Sequence, residues 1–509
     1  MSTNPDSAKQ RRVEGPSSDA PAPELIDAAF AWEIADAPCL HHGLNVADIG
    51  HVMDLHHRGQ MPDSAARALL TVLLEAHATP ASEFPYDARY GEPYNSRERH
   101  FVGRIGDAAG WLHAGRPRRE AARVALRVEL RRLTAELLQA TAVFAETTAD
   151  VALRHRHVLM ADQTYLQQAQ PSTFGHYLLG FVPPALRDGE RLLAALAHIN
   201  MSAGGAGCVN GSRLLGDRAY IAELLGFDGV IEHTRDAMWQ IDPIVDVLAA
   251  ATSVMANQSK LAEDLEIWSS QEFNYVDLAG PYTRASVLMP QKRNPYALSI
   301  VRGGCGVLIG RLTGFLAVVK TPSARSDNLI FAYGEVPRAL EFATKVGRLM
   351  RGVVATMSVN AERMWQVLEA GFSQSTDLAE HIMLQADIDY RSAYRITGET
   401  VKSASRRGLR GIDIRPDDID SAAASLGMGP FALDATELAQ ALDPRAIVAT
   451  RTASGGAAPE EVEAMAQRQL AAARDLTAQA VRRLDGFRKA ELALVDRAQR
   501  WLSSTHDSH

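Results

Sequence analysis

The sequence predicts an all-α protein. Apolar residues recur at helical spacing over long stretches, strand-like alternation is scarce, and glycine-rich clusters separate the periodic segments. A chain of 509 residues, 46% hydrophobic and 22% charged, has the material for a large core. At ~100–200 residues per domain, two to four domains are expected.

The elements follow in chain order. Residues 1–23 are rich in Ser, Pro, Asp and Gly and lack the apolar run of a secretion signal, so a disordered arm is expected. An N-terminal helical domain is expected over 24–121, a central bundle domain over 122–373 and a C-terminal helical domain over 374–509. In the bundle, Leu126, Leu130, Leu133 and Leu137 share one helical face. Ile244, Leu248, Ala251, Met255, Gln258, Leu261 and Leu265 form a second stripe, with Gln258 its one polar member. Segments 335–358, 378–407 and 459–500 also read as helical, with Pro459 suited to a first turn. Glycine clusters at 204–212, 302–306 and 454–459 read as loops. None is a nucleotide fingerprint, because no strand precedes it. Long apolar-faced helices without continuous heptads point to a bundle, and their length to a core shared between subunits. A monomeric multi-helix protein has the same periodicity.

Composition narrows the function. A net charge of −8 leaves no electrostatic footprint for nucleic acid. Cys39, Cys208 and Cys305 are far apart, which fits neither a disulfide framework nor a zinc site and suits a reducing cytoplasm. No run of 18 apolar residues occurs, so no membrane span is expected. The histidines of "CLHHG" (39–43) and "RHRH" (154–157) lack a carboxylate or cysteine at helical spacing, so no metal is expected. His113 and His176 are expected to be structural.

One stretch fits no regular element: "ASVLMPQKRNP", residues 285–295. It resembles the signature loop of the fumarase/aspartase superfamily, GSSxMPxKxNP. Four other stretches resemble the argininosuccinate lyase branch. They are "LHAGRPRRE" (112–120), "TYLQQAQPSTFGHYLLG" (164–180), "EDLEIWSSQEFNYVDLAGPYT" (263–283) and "STDLAEHIMLQADIDYRSAYRITGETV" (375–401). The resemblance runs from about residue 30 to about 475. It implies a homotetramer with a central 20-helix bundle, five helices from each subunit, and active sites assembled from three subunits. The implied chemistry is elimination of fumarate from a succinyl group attached to nitrogen or oxygen, without metal or organic cofactor.

Such an elimination removes a proton beside a carboxylate and passes through an aci-carboxylate dianion. The site therefore needs a base, and donors or positive charge around the carboxylate. The resemblance makes Ser286 the base, in the loop 284–295. A serine hydroxyl is a weak base until a cation and backbone donors stabilise its oxyanion. Lys292 is the matching cation. Asn294, Thr164, Gln170 and Arg118 fall at carboxylate-binding or other substrate-binding positions.

The departures are as informative. Ala285 and Val287 replace the first and third residues of GSS. Tyr165 stands where the family has a histidine, and Ser299 where it has the glutamate that orients that histidine. An imidazolium passes a proton to a departing amine or guanidine, whereas tyrosine, with a pKa of ~10, is a poor acid unless its anion is stabilised. The substrate side differs too. Arg119 replaces the asparagine that binds the fumaryl carboxylate, and Arg325, Ile330 and Tyr333 occupy the positions of the guanidine-contacting residues. Arginines at 119 and 325 suit bidentate carboxylate binding and a more anionic substrate.

The expectation is a cytoplasmic homotetrameric carbon–nitrogen lyase acting on a small succinyl or aspartyl substrate. Ser286 and Lys292 carry catalysis, and Tyr165 is an acid or positioning group. The substrate is more anionic than argininosuccinate or has an acidic leaving group such as nitrite. One alternative is an argininosuccinate lyase of arginine synthesis. Another, from a different class, is a non-catalytic structural homologue, against which Ser286, Lys292 and Asn294 in register argue.

Overall fold

The computed structural model describes residues 20–504 apart from 323 and 326. The chain is 71% helical, which puts it in the all-α class. The principal helices are α1 (Ala31–His57), α2 (Asp63–Ala78), α3 (Pro93–Ile105), α4 (Arg118–Arg154), α5 (Val182–Ile199), α6 (Asp242–Trp268), α7 (Tyr296–Val319), α8 (Asp327–Thr356), α9 (Ser375–Ala386), α10 (Tyr390–Arg406) and α11 (Pro459–Ser503). Extended structure among the described residues forms two-stranded ladders. Two of them matter for the site: β1 (Leu159–Thr164) with β2 (Gln167–Thr173), and β3 (Arg284–Ala285) with β4 (Arg293–Asn294).

Helix α4, 37 residues long, is the axis of the bundle. At 1.5 Å per residue it spans roughly 55 Å. It packs against α11, α8, α5 and α1, while α6 packs against α7, α5 and α8. Both apolar stripes are buried: Leu126 through Leu137 in α4 and Ile244 through Leu265 in α6. Gln258 is buried with them, facing Gly347.

A polar stripe runs along α4 as well. Arg123, Arg127 and Arg131, four residues apart, donate to Met238 O at 2.8 Å, to His198 O and Ile199 O at 3.0 and 3.2 Å, and to Leu225 O at 2.8 Å. Each acceptor lies at the C-terminal end of a helix, where backbone carbonyls lack intrahelical partners and the dipole favours a cation. Burial drags the Arg123 guanidinium down to about 9.

Two sequence expectations change. The glycines at 302–306 are helical, inside α7, not a loop. A Cβ on Gly304 would come within 3.1 Å of Met255 and Phe342, so this glycine sets the approach of α7 to its neighbours. The 378–407 segment is two helices, parted at Asp387 in the left-handed region (φ 51°). Helix α7 is long and apolar enough to cross a membrane by length and composition, although it contains no unbroken apolar run of 18. Its buried face packs on α6 and α8, while Val307, Ile309 and Leu316 point outward.

A second, smaller apolar cluster gathers Leu378, Ile382, Ile396, Ile419 and Leu438. The last helix, α11, contributes no residue to that cluster and lies along α4.

Candidate active site

The sequence-predicted residues fall into three groups. The first is the signature loop, held as a hairpin by β3 and β4. Asn294 Nδ2 donates to Arg284 O at 3.0 Å, and Arg293 pairs with Asp277 at 2.9 Å. Ser286 sits just after β3. Its Oγ accepts from the backbone N–H of Met289 at 3.0 Å and of Leu288 at 3.3 Å. Two N–H dipoles converging on one hydroxyl are the donors an alkoxide requires. Lys292 is exposed and makes no ion pair among the described residues. Val287 and Leu288 stand almost fully in solvent.

The second group is the β1–β2 hairpin. Its two-residue tip is Tyr165–Leu166, with φ of 54° and 59°. Positive φ at both positions is the signature of a type I′ turn, where Asn and Gly are usual. A tyrosine and a leucine there are strained by about 1–3 kcal/mol each, and such strain gathers at functional sites. Tyr165 is 98% exposed, so its phenol touches nothing in its own chain. Thr164 and Gln170 are exposed beside it.

The third group lies at the start of α4. Arg118 pairs with Glu92 at 3.1 Å and also donates to Asn95. Arg119 pairs with the other Glu92 oxygen at 3.2 Å and faces the buried Tyr333 phenol without a well-aligned hydrogen bond. Glu33 adds a second buried carboxylate against both arginines; burial raises its pKa, and neighbouring Glu92 adds to that. The extra positive charge expected from Arg119 is thus offset by Glu33 and Glu92, two acids that no motif points to. Arg325 is exposed in the turn between α7 and α8.

No hydrogen bond or ion pair links the three groups among the described residues. Other side chains complete the picture. Ser299, at the position of the orienting glutamate, donates to Glu266 at 3.0 Å, and Arg302 holds the same carboxylate at 2.6 Å. An acid is therefore present at that point, supplied by α6. His113 pairs with Glu98, and His176 binds Gly455 O, both structural contacts.

The glycine loop at 204–212 also has a specific partner. Gly205 N and Gly207 N each donate at 2.7 Å to one oxygen of buried Glu120, two residues beyond Arg118. Positive φ at both glycines aims these N–H groups, and a Cβ at 207 would strike Gly211 O at 2.4 Å. Burial raises the Glu120 carboxyl to about 7, against the opposing pull of Arg116 and the two N–H donors. Its folded pKa exceeds the unfolded value of ~4.3. Its contribution to stability is therefore full below that value and is lost as pH rises through about 7. Relative to Glu120→Gln, which does not titrate, the native protein should lose up to roughly 3 kcal/mol between ~pH 5 and ~pH 8. Denaturant unfolding of both proteins at the two pH values checks this; a difference that is flat or grows with pH refutes it.

Residues 85–310 match the lyase family, and residues 372–449 match the argininosuccinate lyase C-terminal family. The argininosuccinate lyase of Methanothrix thermoacetophila is 31% identical over 82% of this chain and 85% of its own length. That of Methanoculleus marisnigri is 32% identical over 83% and 86%. Among solved structures, EDDS lyase in complex with formate superposes with a TM-score of 0.85 at 26% identity, covering 97% of this chain and 98% of that one. A variant of EDDS lyase with bound fumarate gives 0.84 at the same identity and coverage. The 3-carboxy-cis,cis-muconate lactonizing enzyme of Pseudomonas putida shares the fold, with a TM-score of 0.70 at 20% identity over 89% of this chain and all of that one.

The chain belongs to the argininosuccinate lyase-like branch of the fumarase/aspartase superfamily, and it is a carbon–nitrogen lyase.

Proposed function

We propose that the enzyme releases fumarate from an N-substituted aspartate other than argininosuccinate, with a leaving group that needs little protonation. The observation that carries this reading is the pair of backbone N–H groups on Ser286 Oγ. They favour the alkoxide that takes the proton beside the substrate carboxylate, with Lys292 as the accompanying cation. Thr164, Asn294, Arg118 and Gln170 bind the succinyl part. Arg119, Arg325 and Tyr333 face the remainder.

The leaving-group half rests on Tyr165. A phenol at a solvent-exposed hairpin tip is a weaker acid than an imidazolium. It acts as a positioning group here, and protonation of the nitrogen falls to water or to the substrate itself. The likeness to EDDS lyase, named for a substrate other than argininosuccinate, supports a non-guanidine substrate.

The lack of any hydrogen bond or ion pair between the three groups, among the described residues, supports assembly of each site from several subunits. The outward apolar residues of α7 supply a surface for that contact. The reading is a cytoplasmic homotetramer of four 55.2 kDa chains, which light scattering tests directly. No metal or cofactor enters the proposed step.

The decisive experiment is fumarate release, followed by ultraviolet absorbance, from a panel of argininosuccinate, aspartate, N-substituted aspartates, iminodisuccinate and nitrosuccinate. A non-guanidine substrate should exceed argininosuccinate by at least about 100-fold in kcat/KM, a transition-state difference of roughly 2.7 kcal/mol. Faster turnover of argininosuccinate refutes the reading and favours the second one, argininosuccinate cleavage, which the names of the curated relatives support. Silence throughout means that the substrate lies outside the panel.

A further inference from the structure

A cavity of about 750 Å³ contains none of the candidate catalytic residues. It lies where α1, α4, α8 and α11 meet, and at its edge stand His42 and Glu491. His42 Nε2 is 3.1 Å from Glu491 Oε2. His77, in the last turn of α2, brings its Nε2 to 3.6 Å from Glu491 Oε1. The two imidazole rings are 5.6 Å apart, centre to centre, inclined at 37°. One carboxylate is thus shared by two histidines from two further helices.

We propose that His42, His77 and Glu491 form a binding site for a divalent transition-metal ion, zinc or cobalt by chemistry, distinct from the elimination site.

The donor set is the argument. Two imidazoles and one carboxylate, with a fourth position open, form a recognised zinc-binding set, and imidazole suits zinc, nickel and copper as well. Geometry supports it. With metal–ligand distances of ~2.0–2.1 Å, two ligand atoms of a tetrahedron lie roughly 3.3 Å apart. The two imidazole–carboxylate separations, 3.1 and 3.6 Å, are close to that edge, each to a different oxygen of Glu491. All three donors lie within 4.8 Å of one another, so the remaining edge closes by side-chain rotation on fixed helices.

Burial and charge agree. The His77 Nδ1 is buried without a hydrogen-bond partner among the described residues, and its Nε2 is turned to Glu491. The cavity walls carry five carboxylates against three guanidiniums, a net negative field for an entering cation. The open coordination position would face that cavity, since His42 and Glu491 line it. The ion would tie the N-terminal helices α1 and α2 to the C-terminal helix α11. Its expected role is therefore a structural clamp across the two ends of the chain.

The simpler account is a histidine–glutamate ion pair with no ion. A cobalt titration of the full-length, tag-free, chelator-treated protein separates the two. The expected result is one Co²⁺ per chain with the visible absorption of a four-coordinate ion, displaced by Zn²⁺, and a Tm that rises with zinc concentration. His77→Ala and Glu491→Gln should each weaken Co²⁺ binding by at least about tenfold while leaving the far-ultraviolet circular dichroism intact. Should His77→Ala misfold, His42→Asn carries the same test. Absence of stoichiometric binding overturns the proposal, as does binding of undiminished affinity in the folded variants. Fumarate release is not the readout, so failure here is independent of the reaction proposed above.

Discussion

Ser286→Ala lowers kcat for fumarate release by about 10²–10⁴-fold while fumarate still binds, because only the proton-transfer step loses its base. The alanine removes the hydroxyl and the two hydrogen bonds it accepts from Leu288 and Met289 N–H, while the β3–β4 pairing still holds the hairpin. KM for the best substrate of the panel should change little. Steady-state kinetics with and without added fumarate as product inhibitor gives both readings. A variant that keeps more than about a tenth of native kcat means that another group abstracts the proton.

Asp48→Ala is expected to cost the most stability of any single change considered. Asp48 is fully buried on α1, and it pairs with Arg97 at 2.7 Å and with Arg116 at 2.5 Å, both nearly inaccessible. Tyr94 also donates to it at 3.3 Å, and Asn45 takes the other Arg97 nitrogen at 2.7 Å. Removing Asp48 takes the carboxylate from both buried guanidiniums and leaves Arg116 only its weaker interaction with Glu120. Breaking a buried pair costs about 3–5 kcal/mol, and two cations here share one anion. The loss should appear as a lower denaturant midpoint at fixed protein concentration, with activity falling in parallel. Arg116 lies two residues before Arg118, so the network also holds the start of α4 where Arg118 and Arg119 sit. A loss below about 1 kcal/mol contradicts this account.

The residues explain why some of this was legible beforehand. The α4 and α6 stripes were readable because a 3.6-residue period reports one buried face directly. Ser286, Lys292 and Asn294 were singled out as candidates because a loop motif keeps its residues within a dozen consecutive positions. Glycines 302–306 were misread as a loop. In a bundle, a glycine also serves where two helices approach closely, and Gly304 does so against Met255 and Phe342. The partners of the site residues were not legible. Glu92 beside Arg118 and Arg119, Glu266 beside Ser299, and Glu120 under the 205–207 backbone are each joined through folding and not by any local spacing.

The sequence by itself determined the all-α class, the long helices, the family and the identity of the candidate base, since periodicity and short motifs are local properties. Tertiary structure alone decided the charge balance around the arginines, the donors on Ser286, the exposure of Tyr165 and the meeting of His42 with Glu491 across 449 positions of chain. Electrostatics and coordination depend on distance in space, which helix packing fixes and which spacing along the chain does not encode.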